Sequence, residues 1–437
     1  MAGPGRRVWA AAGRMTTAGS VSLPGDKSLT HRALVLAALA TGVSEIEHPL
    51  ASLDTRSMAG VLRRLGVDIS SLRGGTVRVI GKGLGGGGFL QPSRSLNCGN
   101  SGTAARFLLG LLAACPWAAT ITGDASLRRR PMRRIVKPLR QMGASFTEPT
   151  TDGLPIEVRG GALRPIEYRS EVASAQLKSA VLLAGLVARV RVRLSEPLLS
   201  RDHTERMLRA LGVPVESNGT TASLTPVESI PGFRMDVPGD PSAAAFLVAA
   251  ALLAGREECV LRHVAVNPTR TGFLAVLKRM GARITVHDGG ESLGEPVGDL
   301  VVGRGTLCGT TVTAQEIPAL IDEIPVLAVL AATAAGVTTF HGVSELRVKE
   351  SDRLGLLAAN LRAVGVQCEA HEDSLTVEGT AAPPKGAVDT GLDHRMAMAF
   401  AVLGRVPGAA VRLSEYDSPG VSYPDFFNDL DRVAPAG

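Results

Sequence analysis

Eight short segments of this chain gather side chains suited to holding anions. PGDKSLTHR brings Lys27, Ser28 and Arg32 within six residues, NCGNSGTAAR brings Asn100, Gly102, Thr103 and Arg106, and SAQLKS brings Ser174, Ala175 and Gln176. IDEIP carries Asp322 and Glu323, and DHR carries His394 and Arg395. RRRPM adds Arg130, SRDHTE adds Ser200 and Arg201, and KESDR adds Lys349, Glu350 and Arg353. Arginine grips phosphate and carboxylate through a planar, bidentate fork. Glycine beside it lets a ligand approach the backbone. Taken one at a time these residues are weak signals; a lone Lys or Arg is usually a solvated charge, and Asp322 reads equally as a helix N-cap. Their recurrence at equivalent places is what carries weight.

Other chemistries find no support. GNSG matches neither a Walker loop nor a dinucleotide fingerprint. His203 and His394 lack partner ligands at metal-binding spacing, so no metal is expected. No serine or cysteine has a recognisable base beside it. No cofactor is expected either.

Five of these segments open helices that are apolar nearly all round. The buried set is THRALVLAALA, GTAARFLLGLLAA, SAQLKSAVLLAGL, PSAAAFLVAAALLA, DEIPVLAVLAATAA and DHRMAMAFAVLG. A helix apolar on every face belongs in a core, and its N-terminus favours anions through free N–H groups and the helix dipole. Each is followed by a strand-like stretch (VSEIEH, ATITG, RVRLS, CVLRH, VTTFH, AVRLS) and then an amphipathic helix. Those second helices begin near LDTRS, RRRPM, SRDHTE, NPTRTG, KESDR and YPDFF and end in a recurring LRxxG-like phrase. Its glycines are Gly66, Gly143, Gly212, Gly281 and Gly365, spaced 77, 69, 69 and 84 residues, with a worn sixth copy at Ala434.

The period is too long for single helical hairpins and implies a unit of several strands and helices, used six times. The expected fold is α/β (α+β): a two-lobed, inside-out α/β barrel, three units per lobe, parallel buried helices covered by sheets. The first lobe spans 24–238 and the second 1–23 plus 239–437, with the segment before residue 24 returning to the second lobe as a strand. If the buried helices of both lobes aim at the cleft between them, that cleft traps anions.

Composition agrees. The chain has 437 residues, 45% hydrophobic and 20% charged, with formal net charge +6 and pI about 9.3. That excess suits anionic ligands, but 15 aromatics leave little for base stacking, so nucleic acid is not expected. Five scattered cysteines without CxxC spacing read as buried free thiols of a reducing compartment. VWAAA is too short for a signal-peptide core, and no apolar stretch reaches membrane-spanning length. A cytoplasmic protein, a monomer without membrane partners, is expected.

At these residues the chain closely resembles the 5-enolpyruvylshikimate-3-phosphate synthase family of enolpyruvyl transferases. LPGDKSLTHRALVLAALATG, LNCGNSGTAARFLLGLLA, GDASLRRRPM, ASAQLKSAVLLAGL, SRDHTERMLRALG, VPGDPSAAAF, NPTRTG, IDEIPVLAVLAA, SELRVKESDRL, LDHRMAMAF and SYPDFF follow in order from residue 23 to 427. The resemblance implies transfer of the enolpyruvyl group of phosphoenolpyruvate to the 5-hydroxyl of shikimate 3-phosphate, in chorismate and aromatic amino acid biosynthesis, and a target for glyphosate. Lys27, Ser28 and Arg32 would contact both substrates. Ser174, Ala175 and Gln176 would hold shikimate 3-phosphate, in a site that includes Ser200 and Arg201. Gly102, Arg130, Arg353 and Arg395 would grip phosphoenolpyruvate. Asp322 and Lys349 would meet the shikimate hydroxyls, with Asp322, alone or with Lys349, as base and Glu350 or Lys27 handling the proton at C3 of phosphoenolpyruvate.

Three places depart from the family pattern: Val421 stands where many members have lysine, Arg133 where glycine is usual, and the last helix is short, without its glycine. The sister transferase that acts on a UDP-sugar carries a cysteine where this chain has Ala125. A silent anion- or nucleic-acid-binding relative on the same repeat, such as an RNA 3′-phosphate cyclase, is disfavoured by the retained Asp322, Lys349 and Glu350.

Overall fold

The computed structural model describes residues 20–255 and 258–435; VWAAA lies outside them. In the first half of the chain the helices are α1 (Lys27–Leu39), α2 (Leu53–Arg64), α3 (Gly102–Leu112), the single turn α4 (Ala125–Arg128), α5 (Arg133–Met142), α6 (Ala175–Ala188) and α7 (His203–Ala210). In the second half they are α8 (Pro241–Ala254), α9 (Gly272–Arg279), α10 (Ile324–Ala331), α11 (Arg353–Ala363), α12 (His394–Leu403) and α13 (Phe426–Val433).

The six apolar helices are the interior. α1 buries eleven of its thirteen residues and α8 twelve of fourteen. Each buried leucine or phenylalanine contributes about 1.5–3 kcal/mol, which adds to the good helix propensity of these alanine- and leucine-rich runs and offsets their valines and glycines. α3 lies along α6, and α8, α10 and α12 pack on one another. A Cβ at Gly110 would sit 2.2 Å from the Ala180 carbonyl oxygen, so the α3–α6 approach requires glycine there. The amphipathic helices end as the phrase implies: Gly66, Gly143, Gly212, Gly281 and Gly365 all have φ between 81° and 116°.

Six small sheets cover these helices, five of four strands and one of two. In the first, 43–47 runs antiparallel to 76–80, pairing Ser44 with Val79 and Ile46 with Val77, and the alternation turns Ile46, Val77 and Val79 inward. Its outer strand, Arg234–Asp236, is parallel to 43–47 and comes from the far end of the same half-chain, closing the three units on themselves. The second half closes through Ser20–Ser22, parallel to Cys259–Ala265, which is the return strand expected for the segment before residue 24. The two crossings lie side by side: Asp26 N–H donates to the Pro238 carbonyl and Asp240 N–H to the Pro24 carbonyl. Buried apolar side chains form two clusters, one from Leu29 to Val237 joined by Ala265, the other comprising Val21 and residues from Ala243 to Ala434.

Several details differ from expectation. The sixth sheet has only Lys385–Val388 and Ala410–Leu413, because the chain then turns through 418–421 into α13 instead of a hairpin. α13 ends on Ala434 without a left-handed residue, yet its eight residues equal α7 and α9 in length. α5, α9 and α11 start only at the last residue of their motifs or beyond, so Arg130, Lys349 and Glu350 ride on approach loops. Cys98, Cys115 and Cys259 are buried free thiols, but Cys308 is exposed and Cys368 half-buried, since both stand at the margins of a sheet.

Candidate active site

The N-terminal ends of α1, α3, α6, α8, α10 and α12 converge on one cleft of about 420 Å³. Side-chain caps fix five of them: Asp26, Ser101, Ser174, Asp240 and Asp393 accept from N–H groups two or three residues on. α10 has no side-chain cap; a 3₁₀ turn, Ile321–Glu323, leads into it, and Asp322 points to cations instead, which removes the N-cap reading. All fifteen candidates line this cleft: Lys27, Ser28, Arg32, Gly102, Arg130, Ser174, Ala175, Gln176, Ser200, Arg201, Asp322, Lys349, Glu350, Arg353 and Arg395.

On the first-lobe wall, Lys27 Nζ lies 3.3 Å from Asp54. Arg32 is held by neutral groups: Nε donates to Thr204 Oγ1 at 2.8 Å, Nη2 to Ser179 Oγ at 3.0 Å and Nη1 to the Ser28 carbonyl at 3.0 Å. Its guanidinium also stacks over Phe107, 5.0 Å from the ring centre. Arg106 donates to Gln176 Oε1 at 2.6 Å and to the Pro131 carbonyl at 3.2 Å, while Gln176 Nε2 donates to Thr103 Oγ1. Among the described residues neither Arg32 nor Arg106 has a carboxylate within ion-pair distance. Burial, above all, lowers Arg32 to about 10; burial with Arg134 and Arg130 lowers Arg106 to about 9. Arg130 donates to Asn100 Oδ1. A Cβ at Gly102 would lie 2.8 Å from Arg106 Nη1 and 3.3 Å from Arg130 Nη1, so the glycine keeps both guanidinium tips at the helix end.

The second-lobe wall is built on carboxylates. Arg353 Nε donates to Asp393 at 2.8 Å, its Nη2 lies 2.5 Å from Glu350, and its Nη1 reaches Asp322 at 3.5 Å. Arg395 donates to the Asp322 carbonyl at 2.9 Å and lies 3.7 Å from its carboxylate. Lys349 Nζ is 3.8 Å from Asp322. Burial pushes Asp322 up, but Arg395, Arg201, Lys349 and Arg353 outweigh it and hold the carboxyl well below its ordinary range. Glu350 follows the same logic: burial raises it, and Arg353, Arg130 and Lys27 bring it far down. Lys349 is lowered, by burial first.

Three ion pairs bridge the walls, each with its cation from the first: Arg201–Asp322 at 2.6 Å, Arg130–Glu350 at 3.5 Å and Arg134–Glu345 at 3.4 Å. An anion entering the cleft therefore competes with Asp322 and Glu350 for the same arginines. As it draws those cations away, the carboxylates regain proton affinity, so ligand binding and proton transfer are coupled.

Arg270, Arg134 and Glu345 escaped the sequence reading. Arg270, 1% exposed, contacts Asp26, Asp240 and Glu323 and donates to Ser242 Oγ, tying the two crossings together. Its motif, NPTRTG, stands where SRDHTE stands in the first lobe, and that equivalence was the available signal. His203 pairs with Glu295 at 2.8 Å. None of the three departures from the family pattern enters the cleft: Val421 ends a 3₁₀ turn, Arg133 points to the Thr150 carbonyl, and α13 lies outside the lining.

The family model described as EPSP synthase (3-phosphoshikimate 1-carboxyvinyltransferase) matches residues 12–430. A 3-phosphoshikimate 1-carboxyvinyltransferase of Gloeobacter violaceus is 48% identical over 417 residues, covering 95% of this chain and 96% of the relative. One from Desulforamulus reducens is 44% identical with the same coverage. An EPSP synthase structure from Acinetobacter baumannii superposes with a TM-score of 0.85 at 38% identity, over 96% of each chain. The enolpyruvyl transferase NikO from Streptomyces tendae shares the fold, with TM-score 0.74 at 20% identity over 95% of this chain and 94% of that one.

Proposed function

The chain belongs to the EPSP synthase family, and from that premise we propose how its cleft divides the work of the reaction. The enzyme transfers the enolpyruvyl group of phosphoenolpyruvate to the 5-hydroxyl of shikimate 3-phosphate, releasing phosphate, within aromatic amino acid biosynthesis. Both substrates carry a phosphate and a carboxylate, and the cleft meets them with cations that include Lys27, Arg32, Arg106, Arg130, Arg201, Arg353 and Arg395. Ser174, Ala175 and Gln176 at the α6 terminus, with Ser28, Ser200 and Arg201, hold shikimate 3-phosphate. Gly102, Arg130, Arg353 and Arg395 hold phosphoenolpyruvate, and Lys27 and Arg32 serve both.

The chemistry is addition followed by elimination. C3 of phosphoenolpyruvate takes a proton, the 5-oxygen adds to C2, and the adduct then expels phosphate while C3 gives a proton back. Asp322, held ionised by four cations, takes the hydroxyl proton, with Lys349 beside it. Glu350 serves C3, with Lys27 nearby. As phosphoenolpyruvate draws Arg130 and Arg353 towards its own charges, Glu350 regains the affinity needed to carry that proton. The observation that carries this reading is the juxtaposition of Asp322 and Glu350, both on Arg353, at the meeting of six helix N-termini.

We take 24–238 and 1–23 with 239–437 as lobes that close over the substrates about the paired crossings at 24–26 and 238–240, excluding water and strengthening each ion pair. A monomer, a cytoplasmic site and the absence of nucleic-acid and membrane partners complete the proposal. No helix among the described residues is long and apolar enough to cross a membrane.

Phosphate release from shikimate 3-phosphate plus phosphoenolpyruvate tests these roles. Asp322→Asn is expected to lower kcat by roughly 100- to 10,000-fold, the range of a general base, with smaller changes in KM. A kcat within tenfold of the parent enzyme would take the base role from Asp322.

A further inference from the structure

We infer that Lys178, buried behind the cleft, is the positioning residue that sets the Ser200–Arg201 loop against α6 and so shapes the shikimate 3-phosphate side. The inference rests on the proposed assignment of Ser174–Gln176 and Ser200–Arg201 to that substrate. Lys178 interrupts the apolar run of α6 less than one turn after Ala175 and Gln176, and is 2% exposed. Its ammonium spends three donors on three acceptors: Glu196 Oε1 at 2.7 Å, Glu205 Oε1 at 2.8 Å and the Ser200 carbonyl at 3.4 Å. Glu196 Oε1 in turn accepts from both the backbone N–H and the hydroxyl of Ser200, each at 2.9 Å. The start of the loop is thereby fixed, and its next residue, Arg201, reaches across to Asp322.

The neighbouring pair extends the same joint. Ser179 Oγ and Thr204 Oγ1 lie 2.7 Å apart and together hold Arg32. Consecutive residues of α6, Lys178 and Ser179, thus dock consecutive residues of α7, Glu205 and Thr204. The charges balance across the joint: Lys178 and Arg32 face Glu196 and Glu205. Glu205 supports the charge of Arg32 through space, leaving the arginine bound to hydroxyls and able to receive an anion. Stability alone is a poor reason for such a cluster, because a buried ion triad can often be replaced by apolar side chains without loss. Geometry is the better reason.

Lys178→Met would strand two buried carboxylates, so the test uses the charge-matched double variant Lys178→Met/Glu196→Gln, which keeps Glu205 opposite Arg32, beside Lys178→Arg, with Arg201→Ala as benchmark. Far-ultraviolet dichroism and melting establish folding; steady-state kinetics read both substrates. The double variant should raise KM for shikimate 3-phosphate roughly tenfold or more, the scale of a misplaced binding element, leaving KM for phosphoenolpyruvate within about twofold, and Lys178→Arg should recover most of the loss. If the double variant does not fold, Glu196→Gln decides by the same split at about threefold, since it keeps the volume and loses the charge. An unchanged KM for shikimate 3-phosphate in the folded variants, or equal rises for both substrates, overturns the positioning role. Should Arg201→Ala also leave that KM unchanged, the loop's assignment to shikimate 3-phosphate fails instead.

Discussion

In the first lobe, Arg32 rests on two hydroxyls and a carbonyl, and Arg106 on an amide and a carbonyl. In the second, Arg353 is braced by Asp393 and Glu350, and Arg395 approaches Asp322 and Glu323. Both walls present guanidinium groups to one cleft, yet their protonation responds in opposite senses. Burial lowers Arg32 and Arg106 to about 10 and about 9, whereas Asp393, Glu350 and Asp322 overcome burial and raise Arg353. A cation held by neutral groups keeps its charge unmet and so captures anions. A cation braced by carboxylates is fixed in place and keeps those carboxylates ionised, which is what a proton-handling wall needs. The choice of counter-group, not of cation, thus decides which arginines stand with their charge unmet and which keep carboxylates ionised.

Paired substitutions can break this comparison. Arg353→Met leaves Asp393 buried and Glu350 without its nearest cation, so the protein should lose about 3–5 kcal/mol of stability, as when one partner of a buried pair is removed. Arg32→Met strands no contacting carboxylate; its stability should stay within about 1 kcal/mol while affinity for substrate anions falls by roughly 10- to 100-fold, the worth of a charged hydrogen bond. Denaturant unfolding and substrate titration of the two variants check this. Equal losses of stability would erase the distinction between the walls.

Much of this was legible in the chain because it depends on local order. The 3.6-residue period exposed the apolar helices, the turn glycines marked unit ends, and the repeat aligned one helix start with the next, so the cleft residues could be collected before any contact was known. What stayed hidden depends on how the lobes cross. Arg270 and Asp26 are 244 positions apart and Arg134 and Glu345 are 211 apart, and no pattern within either segment announces its partner. Asp322 read as a possible N-cap because Asp before an apolar run usually is one; only the 3₁₀ turn, which aims it at four cations, decides otherwise. Lys178 was visible as a break in an apolar run, but its meaning required Glu196 and Glu205 to be seen beside it.

A smaller effect sharpens the comparison from a group that neither wall uses. Each lobe buries a histidine near the start of a core helix, His31 on α1 and His394 on α12. Burial, aided by Lys27 and Arg32, lowers His31 to about 3; burial, opposed by Asp393 and aided by Lys27, lowers His394 to about 3. Both are neutral when folded, while the unfolded chain takes up a proton at each below about pH 6.5. Stability therefore falls as pH drops from about 6.5 towards 3, by about 1.4 kcal/mol per unit for each histidine. Asp322 and Glu350, held low, enter only below the ordinary carboxylate range near pH 4, while Asp26 and Glu323, pushed up by burial, act in parent and variants alike, so comparing each variant with the parent at pH 7.5 and 5.0 isolates the histidines. His31→Gln should remove about 2 kcal/mol of the loss between those pH values, and His394→Gln a similar share, since burial dominates at both. An unaltered loss in both variants would mean that neither wall excludes the proton.

The smallest expected effect concerns the pair at the rim. Arg201–Asp322 and Arg130–Glu350 join the walls among groups that also meet substrate, whereas Arg134 and Glu345 are 24% and 45% exposed at their side chains. Such a pair is worth about 0–1 kcal/mol and is screened by salt. As a link between the lobes it favours the closed cleft, so Glu345→Gln should ease opening and shift KM for both substrates by no more than about threefold, with kcat unchanged or slightly higher. The difference from the parent enzyme should vanish near 1 M salt, where charges are screened within about 3 Å. A loss above tenfold that persists in salt would place Glu345 among the substrate contacts and extend the carboxylate-built wall to the rim. A small, salt-sensitive change would instead confine that wall to the groups on Arg353 and Arg395, where the counter-ion is shielded from solvent and its geometry can set a proton.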